Sequence, residues 1–189
     1  TALFANSSDS LKSRTEIYQA RAKRNIDQKN FLLDCKSDIS GWLSSLNQVL
    51  KPYNLEKPTQ RTIELLQRTN QFNTSGLRFT NEELIRLLNQ SHTLFEFNLS
   101  DSYSDDGIVS VALIDHSDDI PVLRNFVLSC RVFGRHVEHA ILNYLLKWAN
   151  KFLAKDTFQV NCRKLSTNKA STIFFEPLLD QDSLIIAKN

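Results

Sequence analysis

Most of the reactive chemistry in this 189-residue chain is gathered in residues 128–142, LSCRVFGRHVEHAIL. Arg131 and Arg135 can pair with anionic oxygens, Gly134 lets the backbone approach a ligand closely, and the positive end of a following helix favours the same anion. The plainer reading leaves both arginines as a solvated helix entrance and Gly134 as the completion of a turn. Cys130 adjoins Arg131 and a helix start, where a thiolate is stabilised; a covalent relay is one reading and a buried, inert thiol the other. His136 and His139, three apart, fall on about the same side of a helix, as a general base or as exposed first-turn histidines. Outside this stretch, Glu96 alternates with Phe95 and Phe97, so it is either a base pointing into a cleft or a solvated strand carboxylate. Asn70, Asn73 and Asn168 sit beside large apolar residues and read as capping or turn residues.

These residues need a scaffold, and the apolar periodicity supplies one. Residues 11–28 are polar and basic (Arg14, Arg21, Lys23, Arg24) and read as an exposed helix or linker, with the packed domain opening near Phe31. Residues 59–72 suggest a short helix. Thr80 with Glu83 forms a capping box ahead of a helix over 81–89 carrying Leu84, Leu87 and Leu88. The period then changes: Phe95, Phe97 and Leu99 alternate with polar residues, residues 108–114 are apolar on both faces, and residues 122–130 form a third strand. Val137, Ala140, Ile141, Tyr144, Leu145, Trp148 and Phe152 mark a long amphipathic helix. A strand through Phe158, Val160 and Cys162, a short helix over 169–179 and a last strand over 183–187 complete the chain. Three strands joined by tight loops, then a strand–helix–strand unit, make an α/β (α+β) fold: a mixed, mostly antiparallel sheet flanked by helices.

Composition narrows the function classes. With 23 basic and 21 acidic residues spread along the chain, the formal charge of +2 gives no field for a long nucleic-acid surface. No apolar run approaches the roughly 20 residues that span a bilayer, so a soluble, cytoplasmic protein is expected. Cys35, Cys130 and Cys162 include no CxxC pair and read as reduced thiols, and the four histidines form no metal-ligand spacing, so no metal is expected. The start lacks both Met and a signal-peptide pattern, and the expectation is a domain upstream.

Two segments resemble one known family. Residues 67–80, QRTNQFNTSGLRFT, resemble the KTNQFN-TTRRYT signature of FkbH-like proteins, and LSCRVFGRHVEHAIL resembles their LSCRVLGRGVE segment. DSYSDDGIVSVALI at 101–114 and STNKASTIFFEPLLD at 166–180 are similar to RFGDNGLIGVAIL and to the TxxN…FYxxLGF ending, in the same order. The resemblance implies a GNAT-like (N-acyltransferase-fold) domain at residues 31–189, preceded by a linker or helix at 1–30. It also implies an upstream domain of the HAD superfamily (subfamily IIIC), a carrier-protein partner, and glyceryl or acyl loading in polyketide-type biosynthesis. The phosphoryl chemistry of HAD domains needs a strand-end DxD pair, and the only one here, Asp180-Gln181-Asp182, follows a terminal helix.

For the GNAT fold the resemblance places a CoA or phosphopantetheine thioester at an (R/Q)xxGx(G/A) loop. Arg131-Val132-Phe133-Gly134-Arg135-His136 fills this pattern except at His136, whose side chain crowds phosphate where a glycine admits it. A carrier protein's single phosphodiester asks less of that loop than CoA. Acyltransferases of the fold use a strand base and a helix tyrosine; Glu96, Cys130 and His136 are the available base or relay candidates, while Phe174 and Phe175 fill the tyrosine's place. The alternative is a noncatalytic domain that positions the HAD domain and the carrier protein.

Overall fold

Strand and helix segments follow one another in the expected order, with one addition. A computed structural model describes residues 5–34, 39–179 and 184–186, with side chains from residue 15 to 33 and 39 to 179. Cys35 and the Asp180-Gln181-Asp182 triplet lie outside the described residues. The elements are α1 (Ala5–Asp34), α2 (Ile39–Ser45), β1 (Val49–Leu55), α3 (Gln60–Arg68), α4 (Asn81–Leu88), β2 (His92–Ser100), β3 (Asp105–Asp115), β4 (Val122–Leu128), α5 (Val137–Leu153), β5 (Thr157–Val160), α6 (Lys169–Phe175) and β6 (Leu184–Ile186). The addition is β1, which ends the six-stranded sheet ordered β1-β2-β3-β4-β5-β6. Its Pro52 lacks an N–H, which an edge strand tolerates. β3 and β4 are antiparallel, β4 and β5 parallel, β5 and β6 antiparallel. Among the described residues no helix is long and apolar enough to cross a membrane.

The chain divides into two compact units, residues 1–51 with 98–107, and residues 52–97 with 108–189. In the first, Arg24 is 4% exposed rather than solvated. Its guanidinium pairs with Asp101 at 2.8 Å and donates to Ser104 at 3.1 Å, while Tyr103 donates to Asp27 at 2.9 Å and packs on Trp42. The basic face expected to be open thus supplies a buried ion pair.

In the second unit, alternation along β2 sorts its side chains between two faces. Leu94 joins Leu65, Leu66, Phe79, Leu84, Val111, Leu113 and Val127 under α3 and α4. Phe95 and Phe97 take the other face, edge-on to Tyr144 of α5 at 5.7 and 5.6 Å, with Trp148 at 5.1 Å from Phe95. Burying each such aromatic stabilises by about 2–3 kcal/mol. α4 begins in the expected capping box: Thr80 accepts from the Glu83 N–H, and Glu83 accepts from the Thr80 N–H at 2.8 Å. α5 stops at Ala154, held at φ 53.

β4 and β5 pair only at Val122–Gln159 and Leu123–Val160. Beyond that point residues 72–74 take the β4 edge: Leu128 N–H donates to the Phe72 carbonyl at 3.0 Å and Thr74 N–H to that of Phe126 at 3.1 Å. Arg163 N–H in turn donates to the Thr74 carbonyl at 2.9 Å, so the stretch is wedged into the opening between the diverging strands. Asn168 locks it. Its amide donates to the carbonyls of Asn73 (2.8 Å), Thr74 (3.3 Å) and Arg163 (2.8 Å), and its oxygen accepts from Leu165 N–H at 2.9 Å. Asn73 closes the turn by accepting from Gly76 N–H at 2.9 Å. Gly76 has φ 70, a backbone conformation that favours glycine, and an added Cβ would also push aside the Leu165 side chain. Asn73 plays the turn role expected of it, whereas Asn168 stands at the start of α6 without a side-chain cap hydrogen bond and instead ties together backbone far apart in sequence.

One titration belongs to the scaffold. His92, whose side chain is 5% exposed, lies 3.3 Å from Asp115, which also pairs with Arg124 at 3.1 Å and accepts from Ser117. Burial holds the His92 imidazole below its ordinary value near 6.5; attraction to Asp115 opposes this, and repulsion by Arg124 and His116 adds to it. The unfolded state therefore takes up this proton first, and His92 costs the fold stability as pH falls below about 6.5. Chemical denaturation at pH 7.5 and 5.5 should show a drop in unfolding free energy that is smaller in His92→Gln. An equal drop in both proteins would contradict the assignment.

Candidate functional site

The segment between β4 and α5 is where the sequence concentrates its candidates. Ser129 caps a short 3-10 turn, Cys130–Val132, which consumes the amides of the loop. Val132 N–H donates to the Ser129 carbonyl (3.2 Å), Phe133 N–H to that of Cys130 (3.4 Å) and Arg135 N–H to that of Val132 (3.3 Å). The Arg131 side chain reaches Ser129 Oγ at 3.3 Å. The amides of Val132, Phe133 and Arg135 are thus turned inward and are not available to a phosphate. Gly134 adopts φ 77 with open space around it, so the conformation, and not crowding, selects glycine. His136 stands in the left-handed region at φ 56 and caps α5 without a side-chain hydrogen bond. A histidine there costs on the order of 1 kcal/mol relative to glycine, which is a physical reason for the small residue in the resembling pattern. Ahead of α5's first intrahelical bond, from Ala140 N–H to the His136 carbonyl at 3.5 Å, lie the first-turn amides of Val137 to His139.

A cavity of about 440 Å³ opens between this helix entrance and α6, lined by Phe72, Phe133, Gly134, Glu138, His139, Ala170, Ile173, Phe174 and Pro177. Its walls are aromatic: the Phe174 ring meets Phe72 at 5.7 Å and His139 edge-on at 4.9 Å. The polar groups are Glu138 and His139, whose Oε1 and Nδ1 are 3.6 Å apart. The other Glu138 oxygen, Oε2, is buried and has no hydrogen-bond partner among the described residues.

A second cavity of about 350 Å³ lies on the α3 side, lined by Arg61, Glu64, Leu65, Arg68, Thr69, Asn70, Gln71, Leu128, Ser129, Cys130 and Phe133. Phe133 belongs to both walls.

The structure sorts the candidate residues unevenly. Phe133 and Gly134 line the first cavity. Val132 is fully buried in the core, and Arg135, at 6% exposure, is not the solvated helix entrance of the plainer reading. Arg131 and His136 do not line the cavity; His136 is exposed, and it is His139 that reaches the wall. Cys130 is exposed rather than a buried thiol, because the 3-10 turn lifts it off the end of β4, and it opens onto the second cavity. Glu96 is neither solvated nor in a cleft. It is 3% exposed and accepts hydrogen bonds from the hydroxyls of Thr59 and Thr62, the residues that cap α3. Strand alternation shows which way Glu96 points, but not that the start of α3 covers it. Phe72, Ala170, Ile173 and Pro177 have no chemical signal in the sequence. Ile173, on an amphipathic helix yet 70% exposed, is the one that draws notice once the fold is known. Among the described residues no group of three or more His, Cys, Asp and Glu side chains is placed to hold a metal ion.

No family model matches the chain, and no curated protein matches it. Among solved structures, 31 chains match. The ribosomal-protein-S18-alanine N-acetyltransferase from Escherichia coli is 12% identical over 69% of this chain and 76% of its own, with a TM-score of 0.47. A domain from Methanocaldococcus jannaschii is 16% identical over 72% of this chain and 96% of its own, with a TM-score of 0.48. A GNAT family acetyltransferase from Elizabethkingia anophelis with acetyl-CoA bound is 13% identical, TM-score 0.40; the match covers 60% of this chain and 64% of that one.

Proposed function

We propose that this chain is a GNAT-type thioester-binding domain of an FkbH-like protein, and that the cavity between α5 and α6 receives the phosphopantetheine arm of an acyl carrier protein. The observation that carries the reading is the cavity itself: a slot of about 440 Å³ at the start of the longest helix of its unit, beside the loop that resembles the family motif. Its residues fit the arm better than they fit CoA. Phe72, Phe133 and Phe174 give apolar walls for an extended chain, and the first-turn amides of α5 with Gly134 suit one phosphate. CoA's pyrophosphate asks for amides that the 3-10 turn has already used. When bound, the arm supplies an activated acyl group. His139 can hold a proton at the cavity wall with Glu138 beside it, and the three phenylalanines exclude water. The biological setting in this reading is cytoplasmic acyl or glyceryl loading for polyketide-type synthesis, with a HAD-like domain upstream.

Specific observations favour a second reading, in which the domain holds the arm without transferring its acyl group. Phe174 offers no hydroxyl to protonate a leaving thiolate, Glu96 is sealed under α3, and Cys130 faces the other cavity. Both readings need the slot, so the test begins there. Carrier protein bearing phosphopantetheine should bind about tenfold or more tightly than the same carrier without it, a difference of about 1.4 kcal/mol or more. Ala170→Trp, which fills the slot from α6, should abolish that difference. Equal binding of the two carriers by the unaltered chain would overturn the proposal. Acyl transfer to an acceptor, lost in His139→Gln with binding intact, would then reject the noncatalytic reading.

A further inference from the structure

We infer that the second cavity, on the α3 side of Phe133, is a separate ligand site for a small carboxylate-bearing molecule with a short apolar body. The inference does not rest on the thioester reading.

The cavity's charge pattern comes from one face of one helix. Arg61, Glu64, Leu65 and Arg68 are spaced i, i+3, i+4, i+7 along α3 and all line the wall. Arg61 is committed: its Nε donates to the Ile108 carbonyl at 3.2 Å and its Nη1 to Glu64 at 3.1 Å, so these two charges offset one another. Arg68 differs. Its side chain is exposed and, among the described residues, makes no hydrogen bond or ion pair, although helix C-termini suit a cation without any ligand. Arg61 and Arg68 outweigh Glu64 on this wall, and Arg78 reaches its rim at Asn70, so the charge favours an anionic ligand.

The neighbouring polar groups add donors. Asn70 is exposed and accepts from Arg78 through its carbonyl oxygen, which leaves its NH2 group as the donor it can offer a ligand, and Gln71 carries a second exposed amide. Guanidinium and amide N–H groups together suit the two oxygens of a carboxylate. Below them the floor is apolar, formed by Leu65, Leu128 and Phe133. At about 350 Å³ the space is near the lower end of small-molecule sites, enough for a short aliphatic acid.

Cys130 provides a reporter at the same wall, because its thiol is exposed there. The full chain would be treated with iodoacetamide in the presence of hexanoate or of hexanamide, and alkylation at Cys130 followed by peptide mass spectrometry. Hexanoate at millimolar concentration should slow alkylation of Cys130, more at low salt than at high, with no such effect from hexanamide. Arg68→Gln, a surface change, should weaken the protection about tenfold, as expected for loss of one charge-assisted contact. Ala170→Trp, which fills the other cavity, should leave it unchanged, so failure of the thioester reading and failure of this one are separable. Equal protection by hexanamide, undiminished protection in Arg68→Gln, or no protection by tens of millimolar hexanoate would each overturn the inference.

Discussion

Replacing Asn168 with alanine is expected to cost about 3 kcal/mol of stability, among the largest effects of any polar substitution in the chain. The side chain is 1% exposed, and its amide is the shared donor for three backbone carbonyls, those of Asn73, Thr74 and Arg163. Removing it strips the buried Asn73 carbonyl of its donor, at a cost on the order of 1–3 kcal/mol, leaves the Thr74 carbonyl with only the Arg163 N–H, and frees the stretch wedged against β4. Asn168→Asp keeps the size but turns the donating amide into an oxygen that faces other oxygens, and should be at least as damaging near neutral pH. Urea denaturation measures both. A loss below about 1 kcal/mol in both variants would show that the wedge holds without its lock.

Glu96→Ala is expected to cost about 2–3 kcal/mol, and Glu96→Gln about 1 kcal/mol. Each of the two threonines at the start of α3 accepts an N–H from the other: Thr62 N–H donates to Thr59 Oγ1 at 3.1 Å and Thr59 N–H to Thr62 Oγ1 at 3.3 Å. Both hydroxyl protons are thereby free to point at Glu96, which accepts them. Alanine removes the acceptor and opens a void under the helix start, whereas the glutamine carbonyl can still accept both protons. Denaturation curves for the two variants should separate in that order. If glutamine proved as harmful as alanine, the negative charge and not the hydrogen bonding would be what the site needs.

Much of the fold was readable where a local pattern repeats. The alternation at Phe95, Glu96 and Phe97, the Thr80–Glu83 capping box and the apolar stripe of α5 each follow from neighbours a few residues apart, and each appears where expected. β1 was not readable, because Pro52 breaks a strand pattern and only an edge position excuses it. Nor was the wedge at residues 72–74, which has no period and is held by a side chain 95 residues away in sequence. The candidate site divides in the same way. Gly134 at a strand-to-helix junction could be placed from the sequence, but the inward turn of the loop amides depends on how Ser129 caps the 3-10 turn. The exposure of Glu96, Cys130 and Arg135 was not readable for one reason: local sequence says which way a side chain points, and only the tertiary fold says what covers it.

The most direct test of the account follows backbone amide signals of the full chain during titration with phosphopantetheine, and separately with CoA. The predicted result is that phosphopantetheine shifts Gly134, Glu138, His139, Ala170 and Phe174 while leaving Arg68 to Gln71 in place, and that CoA binds no more tightly despite its larger anionic head. Shifts at Arg68 to Gln71 in place of the α5–α6 slot, or no shift with either ligand at millimolar concentration, would contradict it.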